Sequence, residues 1–469
     1  MKNNLLKKFL SFSIGGYINI IIGLLTVPIT TRILSPEQYG ISSLITTIVN
    51  VFGIICYLGT DQGFVRFFYD EKEENRGRLL FESLKIPFVC IIVLSIFIFL
   101  FQKNISIFII EKYDPVIWKI LIFSMIFTIL NRFSLLVIRM KQRGKLYSFF
   151  DVLTKVFNFL FLLLLYKVYG NDYKTIAISI LISLIIITTL AIFSEKKLWF
   201  FKGKLEKVTK KELLSYSLPL SLTMALNWLF GSCDKIIIKA FSNLNELGLY
   251  SGAFKIIALL TVVQTGFTTF WTPVTYEHYS KYPEDTLFFK KATDYLAIIF
   301  FTLGIGMLST RNIIILLLGE KYYNSIFIMP TLIFIPVMYL LSETTMMGIA
   351  FKKQTKYFLY ISIIVSISNL IGNIILVPFL GAKGASISTG ISYILFFALK
   401  TYFSNKLINF GFNLKKIYFM TAILFIYALI LSFYNNLYFT ILTGILIEIF
   451  LLMIYFSTIK EAYCKYLKK

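Results

Sequence analysis

Runs of about twenty apolar residues recur from one end of this chain to the other, each as long as a helix must be to cross the hydrocarbon core of a bilayer. Inside hydrocarbon the backbone finds no water to bond, so only helices and closed barrels span it, and runs of this length are helical. The pattern predicts about fourteen spans, over residues 9–33, 40–65, 83–104, 116–140, 146–169, 173–194, 213–240, 247–275, 292–316, 324–349, 357–379, 383–405, 414–433 and 437–458. Of the 469 residues 57% are hydrophobic and 15% charged, more apolar surface than a water-soluble core hides. The predicted fold class is an all-α integral membrane protein.

Charge then fixes orientation. The formal net charge is +23, and in so apolar a chain an excess of Lys and Arg marks the loops that face the cytoplasm, not a nucleic-acid surface. Alternating sides after each span puts 33 of the 47 Lys and Arg in loops and helix ends on the side of the amino terminus, 10 in those on the other side and 4 deeper inside spans, so both termini are expected in the cytoplasm. The longest basic loop, 195–212, carries seven lysines and serves as topology signal and lobe linker, with anionic lipid headgroups as a further partner. Lys2, Lys7 and Lys8 resemble a signal-peptide start, but the apolar run behind them is too long and lacks a small-residue cleavage site, so a retained first helix is expected. Cys56, Cys90, Cys233 and Cys464 are far apart and form no pair at metal or disulfide spacing.

The chain also repeats itself. Leu10-Ser11-Phe12-Ser13 opens span 1 and Leu214-Ser215-Tyr216-Ser217 opens span 7. At an ungapped offset of 211, Lys141 falls on Lys352, Lys145 on Lys356, Asn158 on Asn369 and Gly170 on Gly381. Six spans per half is an even number, so the two copies share one orientation, and two such lobes imply a central cleft that rocking exposes to each side in turn. The expected organisation is an N-terminal lobe over 1–205, a C-terminal lobe over 206–409, and two extra helices over 410–469. Seven prolines (Pro28, Pro87, Pro219, Pro273, Pro330, Pro336 and Pro378) lie within spans. Pro28 and Pro219 hold corresponding places, where bending is one reading and ordinary transmembrane proline the other.

The motifs argue for transport and against catalysis. The chain has no Gly-rich Lys-Ser/Thr loop for nucleotide, so energy is expected from a proton or sodium gradient or from the substrate, with no cofactor. His278 lacks neighbours at ligand spacing and reads as a solvated surface residue. External connections such as Leu34 to Tyr39 and Asn435 to Asn436 are too short to position a donor and an acceptor for polymerisation.

What remains is a set of ionisable residues inside spans, each costly unless it faces water or a partner. Asp151 and Lys155 are four apart and are expected to neutralise each other. Asp234 and Lys255 sit at similar expected depth, as a local ion pair or facing the cleft. Arg132 and Glu343 are equivalent under the 211 offset, so they form either a salt bridge closing the cytoplasmic side or separate local pairs. Arg32 and Arg66 lie near span ends and either snorkel or serve the cleft. Asp61 and Lys235 complete the set; Glu448 has no reading.

These residues carry a resemblance. Arg32-Ile33-Leu34-Ser35-Pro36-Glu37-Gln38-Tyr39-Gly40, Leu58-Gly59 with Arg66-Phe67, Asp234-Lys235, Leu247-Gly248-Leu249-Tyr250-Ser251 with Ala253-Phe254-Lys255, and Gly381-Ala382-Lys383-Gly384-Ala385 resemble the polysaccharide transporter family, which includes the Wzx-type O-antigen flippases. The resemblance implies a superfamily shared with the multidrug and toxin extruders and the lipid II flippases, two-lobed and gradient-driven. It implies as substrate an undecaprenyl-pyrophosphate-linked oligosaccharide, flipped from the inner to the outer leaflet of the bacterial cytoplasmic membrane for O-antigen or capsule. Other polysaccharide assembly proteins are the implied partners.

A pyrophosphate favours cations, Arg above all for its bidentate fork. The resemblance therefore points to Arg32, Arg66, Lys235 and Lys255, with Arg132 added from the residues themselves. Asp61, Asp234 and Glu343 are candidates for ion coupling or gating. Where the family often has Arg after Asp234 this chain has Lys235. A lipid II or teichoic-precursor flippase is the alternative that shares the cationic cleft. A drug exporter of the same fold would carry acids in the cleft, and span 1 has none between Met1 and Glu37.

Overall fold

A computed structural model of the chain describes residues 18–19, 21–200 and 208–467, and every regular element among them is helical. The start of span 1, with the reading of its basic leader and the Leu10–Ser13 echo, lies outside the described residues, as does the middle of the basic loop. Among the described residues ten helices are long and apolar enough to cross a membrane, or twelve when each of two bent pairs counts as one span. Fourteen is thus more than this count. One difference is a single helical run, Lys356–Leu407, of 52 residues. At 1.5 Å per residue it is far longer than a bilayer core of about 30 Å, and its backbone breaks at Gly381 (φ 55°, ψ −135°), where spans 11 and 12 were expected to meet. The other is the short apolar helix Ile21–Ile33, the described part of span 1.

The chain forms two compact units, Met1–Lys235 and Ile236–Lys469. The first holds α1 (Ile21–Ile33), α2 (Pro36–Tyr57), α3 (Thr60–Phe67), α4 (Arg76–Leu100), α5 (Gln102–Ile110), α6 (Val116–Met140), α7 (Gly144–Tyr169), α8 (Lys174–Ser194) and the short α9 (Lys196–Trp199). It also takes most of α10 (Lys210–Phe241), which bends by 52° between Leu226 and Phe230. The bend sits beside Gly231, a full turn and more beyond Pro219.

The second unit continues with α11 (Leu244–Ala258), α12 (Thr261–Lys281), α13 (Thr286–Ser309) and α14 (Arg311–Ile314). After two 3₁₀ turns come α15 (Met329–Leu332), α16 (Phe334–Thr345), α17 (Met347–Phe351), α18 (Lys356–Leu407), α19 (Leu414–Phe433), α20 (Leu437–Ile454) and α21 (Phe456–Leu467). Its core is aromatic and aliphatic: Phe300, Phe301, Phe334, Met338, Leu424 and Leu451 interlock α13, α16, α19 and α20. The two helices beyond the repeat therefore share this unit's core.

The backbone reproduces the repeat. Gln142 and Lys353, 211 residues apart, are both left-handed (φ 56° and 55°). Each follows a helix closed by the same two bonds: Gln142 N–H to Arg139 O and Arg143 N–H to Ile138 O, against Lys353 N–H to Ala350 O and Gln354 N–H to Ile349 O. That 6→1 and 5→2 pattern is the Schellman ending, adopted here without glycine. Gly170 (φ 60°, ψ −135°) and Gly381 share one unusual conformation, open to glycine at little cost.

A second equivalence explains part of the quoted motif. Gln38 accepts the Tyr173 N–H at 2.9 Å, just after Gly170, and Glu246 accepts the Ala382 N–H at 3.0 Å, just after Gly381. Each side chain satisfies a backbone donor that a helix start would leave unpaired. Ser35 N–H donates to Asn171 Oδ1 at 2.8 Å and Ser42 Oγ–H to Tyr173 O at 3.1 Å, so the Ser35–Gly40 segment pins the α7–α8 turn.

The same turn carries a titratable clasp. Asp114 receives Lys174 Nζ at 2.7 Å, the Tyr173 hydroxyl at 2.9 Å and the Val116 N–H at 2.9 Å. Burial alone pushes this carboxyl up, but the bonds from Lys174, Val116 and Tyr173 outweigh it and hold the group below the ordinary carboxylate range. A carboxyl depressed by folding stabilises the fold above its unfolded pKa and loses that contribution as pH falls through the folded value. Asp114→Asn should therefore lower the thermal midpoint near neutral pH and flatten its decline between about pH 5 and pH 2. An acid response identical to that of the parent protein would show that the clasp contributes nothing.

Candidate functional site

Most ionisable groups in the spans acquire partners within their own unit. Asp61 lies in the first turn of α3 and is 0% exposed. Its placement is fixed by backbone geometry. Leu58 and Gly59 both turn left-handed (φ 43° and 74°), and a Cβ on Gly59 would stand 2.1 Å from the Ser217 carbonyl oxygen of α10. Only glycine fits there, which accounts for the Leu58-Gly59 signature. The Thr60 hydroxyl donates to Tyr57 O at 2.7 Å, and Tyr57, Phe64 and Phe133 meet edge to face, locking α3 against α2 and α6.

On that support Asp61 Oδ2 receives three donors: Gln62 Nε2 at 2.9 Å, Arg132 Nε at 3.1 Å and Arg132 Nη2 at 2.8 Å. Oδ1 has no hydrogen-bond donor among the described residues. The Arg132 side chain is 41% exposed, so the pair is buried at its acidic end and open at its basic end.

Glu343, the repeat equivalent of Arg132, is set differently. It pairs with Lys400 at 3.0 Å, and both side chains are under a tenth exposed. Lys400 also donates to Ser342 Oγ at 3.3 Å and lies over the rings of Phe396 (4.3 Å) and Tyr339 (5.4 Å). Trp271 Nε1–H donates to the Glu343 carbonyl at 3.2 Å. Arg132 and Glu343 thus each hold a local partner.

The remaining candidates differ in exposure. Arg66 is exposed and bonded to Asp70 at 2.9 Å, one helical turn on. Arg32 and Lys255 are exposed, Lys235 is half-buried and Asp234 is buried. The expected Asp151–Lys155 pair is absent from the ion pairs of the described residues: Asp151 accepts from Asn19 Nδ2 at 2.6 Å, and Lys155 is exposed. His278 is not a solvated surface residue. It stacks on Phe288 at 3.8 Å between centroids and bonds Asp285 at 2.9 Å. Glu448 accepts from Thr302 Oγ1 at 2.6 Å, which joins α20 to α13.

Two partners escaped sequence reasoning. Lys400 had a signal: it and Glu343 lie a similar few residues before the expected cytoplasmic ends of spans 12 and 10. Arg311, inside the expected span 292–316, was not singled out, and its partners are mostly backbone carbonyls.

Helical spans in two units that repeat one another, with charged pairs held inside each, define a multi-pass membrane protein. The family described as polysaccharide biosynthesis protein matches residues 5–277, more than half of the chain, and the protein belongs to that family. Among solved structures, one titled "Lipid II flippase MurJ, inward closed conformation" superposes with a TM-score of 0.70 at 20% identity, covering 96% of this chain and 99% of its own. An inward-facing multidrug resistance MATE family transporter of the MOP superfamily matches with a TM-score of 0.60 at 14% identity, covering 84% and 94%. Its outward-facing counterpart gives 0.57 at 15% identity, over 85% and 95%. At such identities the likeness is one of fold. These neighbours are named as transporters or a flippase, and none is an enzyme. No curated protein matches the sequence.

Proposed function

We propose that the protein is a flippase that moves an undecaprenyl-pyrophosphate-linked oligosaccharide from the inner to the outer leaflet of a bacterial cytoplasmic membrane, for assembly of a surface polysaccharide. One coincidence carries the reading: a family described by polysaccharide biosynthesis has here the fold of membrane exporters. A sugar and a pyrophosphate cannot cross hydrocarbon unshielded, whereas a polyprenyl tail remains in lipid. Alternating access by two lobes, 1–205 and 206–409, driven by a proton or sodium gradient, meets that demand with both termini in the cytoplasm. Arg32, Arg66, Arg132, Lys235 and Lys255 are the cations assigned to the pyrophosphate, and Asp61, Asp234 and Glu343 the acids assigned to coupling or gating.

A lipid II or teichoic-precursor flippase is the second reading, supported by the likeness to a structure so titled over 96% of this chain. The inward-facing drug transporter covers 84% of it.

Deleting the gene should leave lipid-linked repeat units in the inner leaflet and abolish the surface polysaccharide. Normal polymer with lost drug resistance would transfer the protein to the exporters. Normal polymer with lipid II trapped inside would favour the second reading.

A further inference from the structure

A guanidinium has two usable edges. The side edge is formed by Nε–H and one Nη–H, and the end fork by one N–H from each terminal nitrogen. Arg132 spends its side edge on Asp61: both of its hydrogen bonds leave from Nε and Nη2 and reach the same Oδ2. Among the described residues nothing else receives its N–H groups, so the end fork is free. That fork matches two oxygens of a phosphate.

Burial points the same way. Asp61 is sealed at 0% exposure while the Arg132 side chain is 41% exposed. The pair therefore leaves its basic end accessible. An arginine left open inside a membrane-spanning helix is tolerated where its open side meets hydrated space.

The repeat supplies an internal control. The equivalent position holds Glu343, whose partner Lys400 is covered by Phe396, Tyr339 and Ser342, with no open end. Equal places in the two units thus hold a dry pair and an open one.

We propose that Asp61 is a positioning residue. It grips the side edge of Arg132 from a rigid turn and presents the end fork to a phosphate-bearing headgroup. This deepens the flippase reading, from which it takes the anionic cargo, and it moves Asp61 from ion coupling to anion recognition. The rigid turn matters because a free arginine side chain gives up rotamer entropy on binding, whereas a clamped one has given it up on folding.

The test uses the full chain in phosphatidylcholine nanodiscs, titrated with inorganic pyrophosphate in a calorimeter. Arg132→Ala should weaken binding at least tenfold, since it removes both charge-assisted bonds of the fork. Asp61→Asn, of the same shape, should weaken it several-fold. In the Arg132→Ala background it should change nothing further, because Asp61 acts only through Arg132. Arg132→Lys keeps the charge but loses the fork and should fall between. That variant retains the pair and covers the case in which Asp61→Asn does not fold.

Unchanged or tighter binding in Asp61→Asn would overturn the proposal, because the acid would then be masking the cation. Additive losses, or no binding by the parent protein, would overturn it too. Nanodiscs carrying undecaprenyl pyrophosphate or phosphatidylglycerol separate a cargo headgroup from a bulk lipid: competition by the first alone supports recognition of cargo, and equal competition by both reassigns the site to membrane lipid. Failure of the leaflet assay with Asp61-dependent pyrophosphate binding intact would remove the flippase reading and leave the positioning role standing.

Discussion

Replacing Arg311 with methionine should destabilise the second unit by roughly 3–5 kcal/mol, from two or three carbonyls losing their donors at about 1–3 kcal/mol each. Arg311 is fully buried just beyond α13. Its Nη1 reaches the carbonyls of Leu431 and Ile326, and its Nη2 reaches Tyr434 O at 2.8 Å and Asn435 Oδ1 at 3.2 Å. A guanidinium keeps its charge at neutral pH even when buried. No carboxylate answers it among the ion pairs of the described residues. The cation is held instead by the exposed carbonyl end of α19 and the turn into α20, where the helix dipole is negative.

Thermal unfolding in detergent should show the loss directly, and limited proteolysis should cut first between Tyr434 and Asn436. Arg311→Lys should recover only part of the stability, because one ammonium cannot span acceptors that a planar fork reaches together. A methionine variant as stable and as protease-resistant as the parent protein would show that water replaces the guanidinium at no cost.

The spans were legible because their signal is collective: twenty apolar residues report a bilayer whichever neighbours they meet. The repeat was legible at the points where backbone geometry constrains residue type, such as Gly170 and Gly381. It was silent at Gln142 and Lys353, whose shared left-handed turn leaves no mark because neither is glycine.

The charged residues were legible as a set and illegible as pairs. Asp61, Arg132 and Glu343 were flagged by their cost inside a membrane, but a partner 71 or 57 residues away is chosen by helix packing, which periodicity does not encode. The residues matched to the family, Ser35 and Gln38 among them, were legible as a signature. Their bonds to the α7–α8 turn show that part of such a signature maintains the fold of one unit and need not touch cargo.

The strongest separation of brace from gate lies at Glu343 and Lys400. Glu343→Gln alone leaves an ammonium 6% exposed without a counter-charge, and Lys400→Met alone strands a carboxylate; each should cost roughly 3–5 kcal/mol. The double variant removes both charges together and should regain most of that loss, because replacing a buried pair whole is often near neutral. A large favourable coupling in this double-mutant cycle is the expected stability result.

Transport then decides the role. Under the proposed function, a brace predicts that the double variant supports surface polysaccharide almost as the parent protein does, since restoring the packing restores everything the pair supplied. A gate formed by Glu343 with Arg132, or a coupling role for Glu343, predicts a stable protein that exports nothing. The rings of Phe396 and Tyr339 around Lys400, and the Trp271 bond to the Glu343 backbone, enclose the pair and favour the brace. A correctly folded double variant without export would reverse that assignment and return Glu343 to the moving parts of the cycle.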